Sequence, residues 1–364
     1  MRILHIYKDY YPVLGGIENH IKQLAEAQTA VGHTVTVLVT NPNRQLQQET
    51  INSVHVVRAW RLATVASTPL SPALPLHTRG LPADVVHVHS PYPLGELSQW
   101  LLGGQRPYVI GYHSDVVKQQ GILRFYRPFL KRVLAGARRI IVGSDNYVQS
   151  SPFLRPLAPQ CRIVPYSVDV ARFAGARPLI PPAAVPTLLF VGQHRYYKGV
   201  DDLIRAMPQL EARLLIGGDG PKRAEWESLA QQLGVADKIQ FLGRIADEDL
   251  PGFYASGDIF VLPSNSRAES FGLVLQEAMA AARPCVTTEL GTGTSWLVQD
   301  GITGLVTPPR NPGALAAALA SLLADSDKRR QMGQAGQQRA CAEFTVSAMA
   351  ARIEAIYQEV IGNQ

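Results

Sequence analysis

Short β-branched runs alternate with longer stretches of helical spacing along nearly the whole chain. In the first half, "RILHIY", "TVTVLVT", "SVHVVRA", "ADVVHVHS", "YVIGYH", "RRIIVGS" and "RIVPYSV" read as strands. "IENHIKQLAEAQTAVG" reads as an amphipathic helix stopped at Gly32. Residues 174–186, "AGARPLIPPAAVP", are rich in Pro and Ala, show no period and read as a linker. The alternation then restarts with "TLLFVG", "ARLLIGG", "KIQFLG", "DIFVLPS", "RPCVTTE" and "TGLVTPP" as strands and helical stretches between them. Strands that alternate with helices predict parallel sheets covered on both faces. The pattern therefore predicts two doubly wound α/β domains, at 1–173 and 187–345, with a last helix over 346–364.

The bulk numbers narrow the class. A chain of 364 residues with 46% hydrophobic and 18% charged residues suits two ordinary cores. No apolar run approaches the roughly 18 residues of a membrane span. The N-terminus lacks the apolar core of a signal peptide. Cys161, Cys285 and Cys341 are far apart and odd in number, which predicts a reducing, cytoplasmic setting. The net charge of +6 divides unevenly: residues 1–180 carry +10 and residues 181–364 carry −4. A basic half calls for an anionic partner, either nucleic acid or an anionic membrane surface. Residues 117–139 hold seven basic side chains and no acid, interleaved with apolar ones. Such a segment can lie on an anionic membrane, or it is a surface helix whose apolar side is core. No recognised nucleic-acid module is present, and nucleic acid is not expected as a partner.

In doubly wound sheets, ligands bind beyond the carboxyl ends of the strands, and with two such domains the cleft between them is the natural site. Gly15 and Gly16 precede a helix, where backbone N–H groups favour an anion; a plain turn is the competing reading. Arg195 and Lys198 stand at a strand mouth, able to neutralise a departing diphosphate. His113 and Asp115 stand at another. His87 and His89 alternate on a strand and read as structural. The acids at Asp247–Asp249 read as helix capping, not as a metal site, and no other metal cluster stands out. Glu269 and Glu277 are spaced Glu-x7-Glu. Eight helical residues rise about 12 Å, too far for a shared proton or metal but suited to one elongated ligand gripped twice. A helix start signal plus a solvent-facing acid explains the same letters.

With these stretches in view, the chain resembles the family 4 retaining glycosyltransferases, which have the GT-B fold of two Rossmann-like domains facing across a cleft. The match runs through "GGIENHIKQLAEAQTAVGHTVTVLVT", "ADVVHVHSP", "GYHSD", "LLFVGQHRYYKGVDDLIRAM" and "LLIGGDGPKRAEWESLAQQLGVADKIQFLGRI". It is most specific in "AESFGLVLQEAMAAARPCVTTELGTGTSWLVQDGITGLVTPP". The resemblance implies an acceptor-side first domain, a nucleotide-sugar-binding second domain and a helix over 346–364 that returns to the first domain. It implies that Glu269 meets hydroxyls of the donor sugar and Glu277 the ribose. Backbone N–H groups of Phe271, Gly272 and Leu273 would meet sugar and diphosphate, and Arg195 and Lys198 the diphosphate. Gly15 and Gly16 would close over it, His113 would point at the sugar, Arg244 would face the base, and Asp115 falls on the acceptor side. No metal and no cofactor are implied. Gln193 stands where members usually carry Arg, which leaves Arg195 to supply that charge. "ELGTGTSW" departs from the usual Gly-Gly then Pro-Glu loop and resembles bacterial polysaccharide-assembly mannosyl- and rhamnosyltransferases. The implied activity is hexosyl transfer with retention, from GDP-mannose or otherwise a UDP-sugar, to a glycan or lipid-linked hydroxyl, by a cytoplasmic protein associated with the membrane surface. A nucleotide-sugar epimerase and a non-catalytic nucleotide-sugar sensor are the competing classes.

Overall fold

The near-continuous apolar runs of the first half become strands buried on both faces, as parallel sheets covered by helices require. Every residue of Val85–Ser90 and of Tyr108–Tyr112 is buried. The structure is a computed structural model that describes residues 1–13, 15–65, 68–115 and 120–362. The chain forms two units, Met1–Tyr166 with Val346–Gln364, and Ser167–Thr345.

The first unit holds an eight-stranded sheet. Its order is Cys161–Ile163, Arg139–Val142, Tyr108–Tyr112, Val85–Ser90, Arg2–Ile6, Thr34–Asn41, Val54–Trp60, Gln47–Ile51. All neighbours are parallel except the last pair. Gln47–Ile51 is a polar edge strand that the hydrophobic pattern did not reveal, since "QQETI" has no buried face. It turns back through Asn52 and Ser53, both at positive φ (47° and 68°), the geometry of a two-residue hairpin turn. Arg2–Ile6 lies between Val85–Ser90 and Thr34–Asn41, with His5 beside His87. His89 in turn pairs with Gly111.

The second unit holds six parallel strands in the order Ile239–Gly243, Arg213–Gly217, Thr187–Val191, Ile259–Leu262, Cys285–Thr288, Gly304–Thr307. Strand order reverses between Thr187–Val191 and Ile259–Leu262. The loops leaving these two strands therefore diverge and open a crevice at their carboxyl ends. The first unit reverses likewise between Arg2–Ile6 and Val85–Ser90.

Two late helices differ in how far their sequence announced them. Val346–Gly362 buries Met349, Ile353, Ile356, Tyr357 and Val360 in the first unit's core beside Ile21 and Leu24. Ser326–Glu343 was not anticipated, because it has no apolar stripe. Its buried positions are mostly small, Gly333, Gly336 and Ala340 with Met332. A Cβ on Gly333 would stand 2.2 Å from the Ala282 carbonyl oxygen, so this helix is held by backbone approach instead of side-chain area. Residues 167–173 belong to the second unit, where the Val168 N–H donates to the Phe344 carbonyl (2.8 Å) and Phe173 packs on Tyr254.

The burial of Val346–Gly362 is testable. Ile353→Ala, at a fully buried position, is expected to destabilise the first unit by about 3 kcal/mol. Denaturant unfolding followed by circular dichroism checks this, and a change below about 1 kcal/mol would mean the helix is not part of that core.

Candidate functional site

The crevice of the second sheet explains why Lys198 and Glu269 meet although 71 residues separate them. Lys198 follows strand Thr187–Val191 and Glu269 follows Ile259–Leu262, the two strands that flank the reversal. Gly199, at φ 65°, brings the loops into contact; a Cβ there would lie 2.0 Å from the Pro263 carbonyl oxygen. Lys198 Nζ donates to Glu269 Oε2 at 2.6 Å, and Ser264 Oγ donates to the same oxygen at 3.3 Å. Both charged side chains are about nine-tenths buried. Burial alone would lower the lysine's pKa, but the carboxylate beside it reverses the sign and holds the ammonium above its ordinary range.

Glu269 lies in the loop, and helix Leu273–Ala280 starts four residues later, after Gly272 at φ 87°. The helical rise of about 12 Å for eight residues therefore does not describe the separation from Glu269 to Glu277. Phe271 turns its ring inward, tilted against Trp296 with centroids 6.5 Å apart. The backbone of Phe271, Gly272 and Leu273 lies at the helix start, where N–H groups lack intrahelical partners. Glu277 lies half-buried on the helix. It accepts a hydrogen bond of 2.6 Å from the Tyr254 hydroxyl, and burial pushes its carboxyl up to about 7. Arg195 and Arg244 are exposed, and Arg195 Nε donates to Gln193 Oε1 at 3.2 Å. Asp247, in the short turn Asp247–Asp249, pairs with Arg172 at 3.1 Å.

In the first unit, Gly15 is extended and precedes helix Gly16–Ala30. The Glu18 carboxylate folds back over it, so that a Cβ on Gly15 would lie 2.1 Å from Glu18 Oε2. Burial raises the pKa of Glu18. Asp115 accepts hydrogen bonds of 2.8 Å from the Tyr112 and Ser151 hydroxyls, which anchors the loop after strand Tyr108–Tyr112.

His113 opens onto a feature that sequence reasoning missed. One chain of hydrogen bonds runs from Gln28 Oε1 to His5 Nε2 (2.8 Å), from His5 Nδ1 to His89 Nε2 (3.0 Å), from His89 Nδ1 to His113 Nε2 (3.0 Å), and from His113 Nδ1 to the Tyr166 hydroxyl (2.6 Å). His87 stacks on His89 and shares a 2.6 Å hydrogen bond with the Tyr357 hydroxyl. His20 lies edge-on to His89, His113 and Tyr166. The signal was present as histidines at alternate strand positions in "LHIY" and "VHVHS", but only the strand register puts them on one face. Burial pushes His5 down to about 4, His20 to about 3, and His87, His89 and His113 well below their ordinary range. Their nitrogens are near enough to gather a metal ion. However, two nitrogens about 2.1 Å from a tetrahedral zinc stay roughly 3.4 Å apart. The 3.0 Å separations are those of hydrogen bonds between neutral rings.

Of residues 117–139, positions 117–119 lie outside the described residues. Helix Gln120–Gly136 follows. Its Leu130, Val133 and Leu134 belong to the first core, while Arg127, Phe129, Lys131 and Arg132 are exposed. The Tyr126 hydroxyl donates to the buried Glu96 carboxylate. Among the described residues no helix is long and apolar enough to cross a membrane.

Comparison with known proteins gives the same picture from another direction. Residues 14–172 match the family model described as Glycosyltransferase Family 4, and residues 179–339 match that of Glycosyl transferases group 1. The chain is 35% identical to D-rhamnosyltransferase WbpZ of Pseudomonas aeruginosa, over 95% of this chain and 92% of that protein. It is 32% identical to O-antigen chain mannosyltransferase C of Escherichia coli, over 96% of each. Among solved structures, sucrose-phosphate synthase from Thermosynechococcus elongatus superposes with a TM-score of 0.81 at 25% identity, over all of both chains. Anabaena HepE in complex with UDP and glucose shares the fold, with a TM-score of 0.75 at 19% identity, over 99% of this chain and 100% of that one.

The half-buried carboxyl of Glu277 carries a pH signature. Its folded pKa of about 7 lies above the ordinary 4.5, so it favours the fold at low pH and that contribution is lost as pH rises through 7. Glu277→Gln should therefore stabilise the second unit more at pH 8 than at pH 5, by on the order of 2 kcal/mol. Thermal unfolding at the two pH values checks this; an equal effect at both would contradict a raised carboxyl.

Proposed function

Because the chain belongs to glycosyltransferase family 4 and has the GT-B fold, we propose that it transfers a hexose from a nucleotide-diphosphate sugar to a hydroxyl of a glycan or lipid-linked acceptor, with retention and without a metal ion. The observation that carries this reading is the Lys198–Glu269 pair at the switch point, beside a helix start and upstream of the half-buried Glu277. A cation, a carboxylate and the start of a helix gathered at one sheet edge suit a diphosphate joined to a sugar.

Lys198 and the exposed Arg195 take the diphosphate charge as it departs, the role a metal ion fills elsewhere. Glu269, released from Lys198, accepts hydrogen bonds from sugar hydroxyls. Glu277 accepts from the ribose, and Arg244 stands by the base. On the first unit, Gly15, Gly16 and His113 face the donor and Asp115 the acceptor. The bond from the anomeric carbon to the diphosphate oxygen breaks, and the acceptor oxygen bonds to that carbon on the same face. The acceptor's proton passes to the departing diphosphate. A mannose-type sugar on GDP is favoured, since relatives named as D-rhamnosyl- and mannosyltransferases align over nearly the whole chain; D-rhamnose is 6-deoxymannose. The positive charge of residues 1–180 and the exposed bases of Gln120–Gly136 favour an anionic, lipid-linked acceptor met at the cytoplasmic membrane surface.

The test is release of nucleoside diphosphate from GDP-mannose, GDP-D-rhamnose and UDP-, ADP- and dTDP-sugars, with EDTA present and a lipid-linked glycan as acceptor. Release from a GDP-sugar that survives EDTA is expected. Glu269→Ala should abolish transfer, by at least about 10²-fold, while GDP affinity changes less than about five-fold. Metal-dependent turnover would overturn the metal-independent reading, and equal loss of transfer and GDP binding would overturn the role given to Glu269.

A further inference from the structure

Both ring nitrogens of His113 are engaged inside the protein, Nε2 by His89 at 3.0 Å and Nδ1 by the Tyr166 hydroxyl at 2.6 Å. A histidine so held has no nitrogen left for a ligand. To bond a sugar hydroxyl it must let one partner go. His89 cannot be that partner. It lies in a strand, is 0% exposed, and its other nitrogen is tied to His5. Tyr166 is 9% exposed, lies outside any strand or helix, and is the last residue of the first unit before the chain crosses to the second.

We propose that Tyr166 is a resident stand-in for the donor: its hydroxyl occupies the His113 nitrogen that a hydroxyl of the donor sugar takes on binding. This rests on the reading that His113 faces the donor. The inner chain then has a defined task. A neutral imidazole that donates at one nitrogen accepts at the other, so Gln28, His5 and His89 together set what His113 offers outward. Tyr166 can donate or accept through its hydroxyl, as can a sugar hydroxyl, so the exchange leaves the inner bonds as they are. Strand register sets His89 beside Gly111, and the rings pack closely around that glycine. A Cβ on Gly111 would lie 2.8 Å from His87 Nε2, 3.2 Å from His89 Nδ1 and 3.4 Å from His113 Nε2.

The experiment compares GDP-mannose with GDP, which lacks the sugar, by calorimetric titration of the full chain. Tyr166→Phe removes the competing hydroxyl and keeps the ring. It should tighten GDP-mannose about five-fold, the size of one ordinary hydrogen bond, and leave GDP unchanged. His113→Asn separates the underlying reading from the proposal. If it weakens GDP-mannose but not GDP, His113 faces the sugar; if it changes neither, that reading fails. Weaker or unchanged GDP-mannose binding in Tyr166→Phe, with His113→Asn sensitive, overturns the stand-in role alone. Should Tyr166→Phe not fold, ¹⁵N-imidazole NMR of the unaltered protein serves. The His113 Nδ1 resonance, assigned by its loss in His113→Asn, should move with GDP-mannose and stay with GDP; no movement with either overturns the proposal.

Discussion

A buried charge pair sets the terms for the second unit. Lys198 and Glu269 are each almost wholly removed from water, a state that costs several kcal/mol per ion unless the pair stays closed. The pair therefore holds together the two loops that diverge at the reversal of strand order, and Gly199 against Pro263 shows how closely they are drawn. In the proposed reaction, an incoming diphosphate would offer Lys198 a second anion and sugar hydroxyls would offer Glu269 donors. The pair would then open only when both groups gain replacements, so that the charge would not be left uncompensated at any stage.

The first unit solves the same problem without charge. Five buried histidines are kept neutral by desolvation, and three of them join in a chain where each ring uses both nitrogens. Burying neutral groups that satisfy one another costs far less than burying ions. The chain also fixes geometry: Gln28 comes from a helix, His5, His89 and Gly111 from three adjacent strands. His113 thus inherits its placement from the sheet register. The carboxyl-terminal helix joins in through Tyr357 on His87.

Alternation of apolar runs made both sheets legible, because strands buried on both faces leave long apolar words such as "ADVVHVHS" and "TLLFVG". The same test could not find Gln47–Ile51, a polar edge, or Ser326–Glu343, which packs through Gly333 and Gly336 instead of an apolar face. Among the candidate residues, Lys198, Glu269 and Glu277 were legible as positions at strand mouths and a helix start. Their pairing was not, since it depends on which strands end up adjacent. His87 and His89 were legible as structural alternation, but not as members of a chain that also enlists His5 and His113. Tyr166 carried no signal, because its importance lies in a contact with His113, 53 residues away.

The decisive measurement is the stereochemistry at the anomeric carbon. In the proposed reaction the acceptor attacks on the face that the diphosphate leaves. NMR of the first product formed from an α-linked nucleotide sugar reads that outcome. An α-glycoside is predicted. A β-glycoside would mean attack from the opposite face and would contradict both the retaining mechanism and the roles assigned to the groups around Lys198 and Glu269.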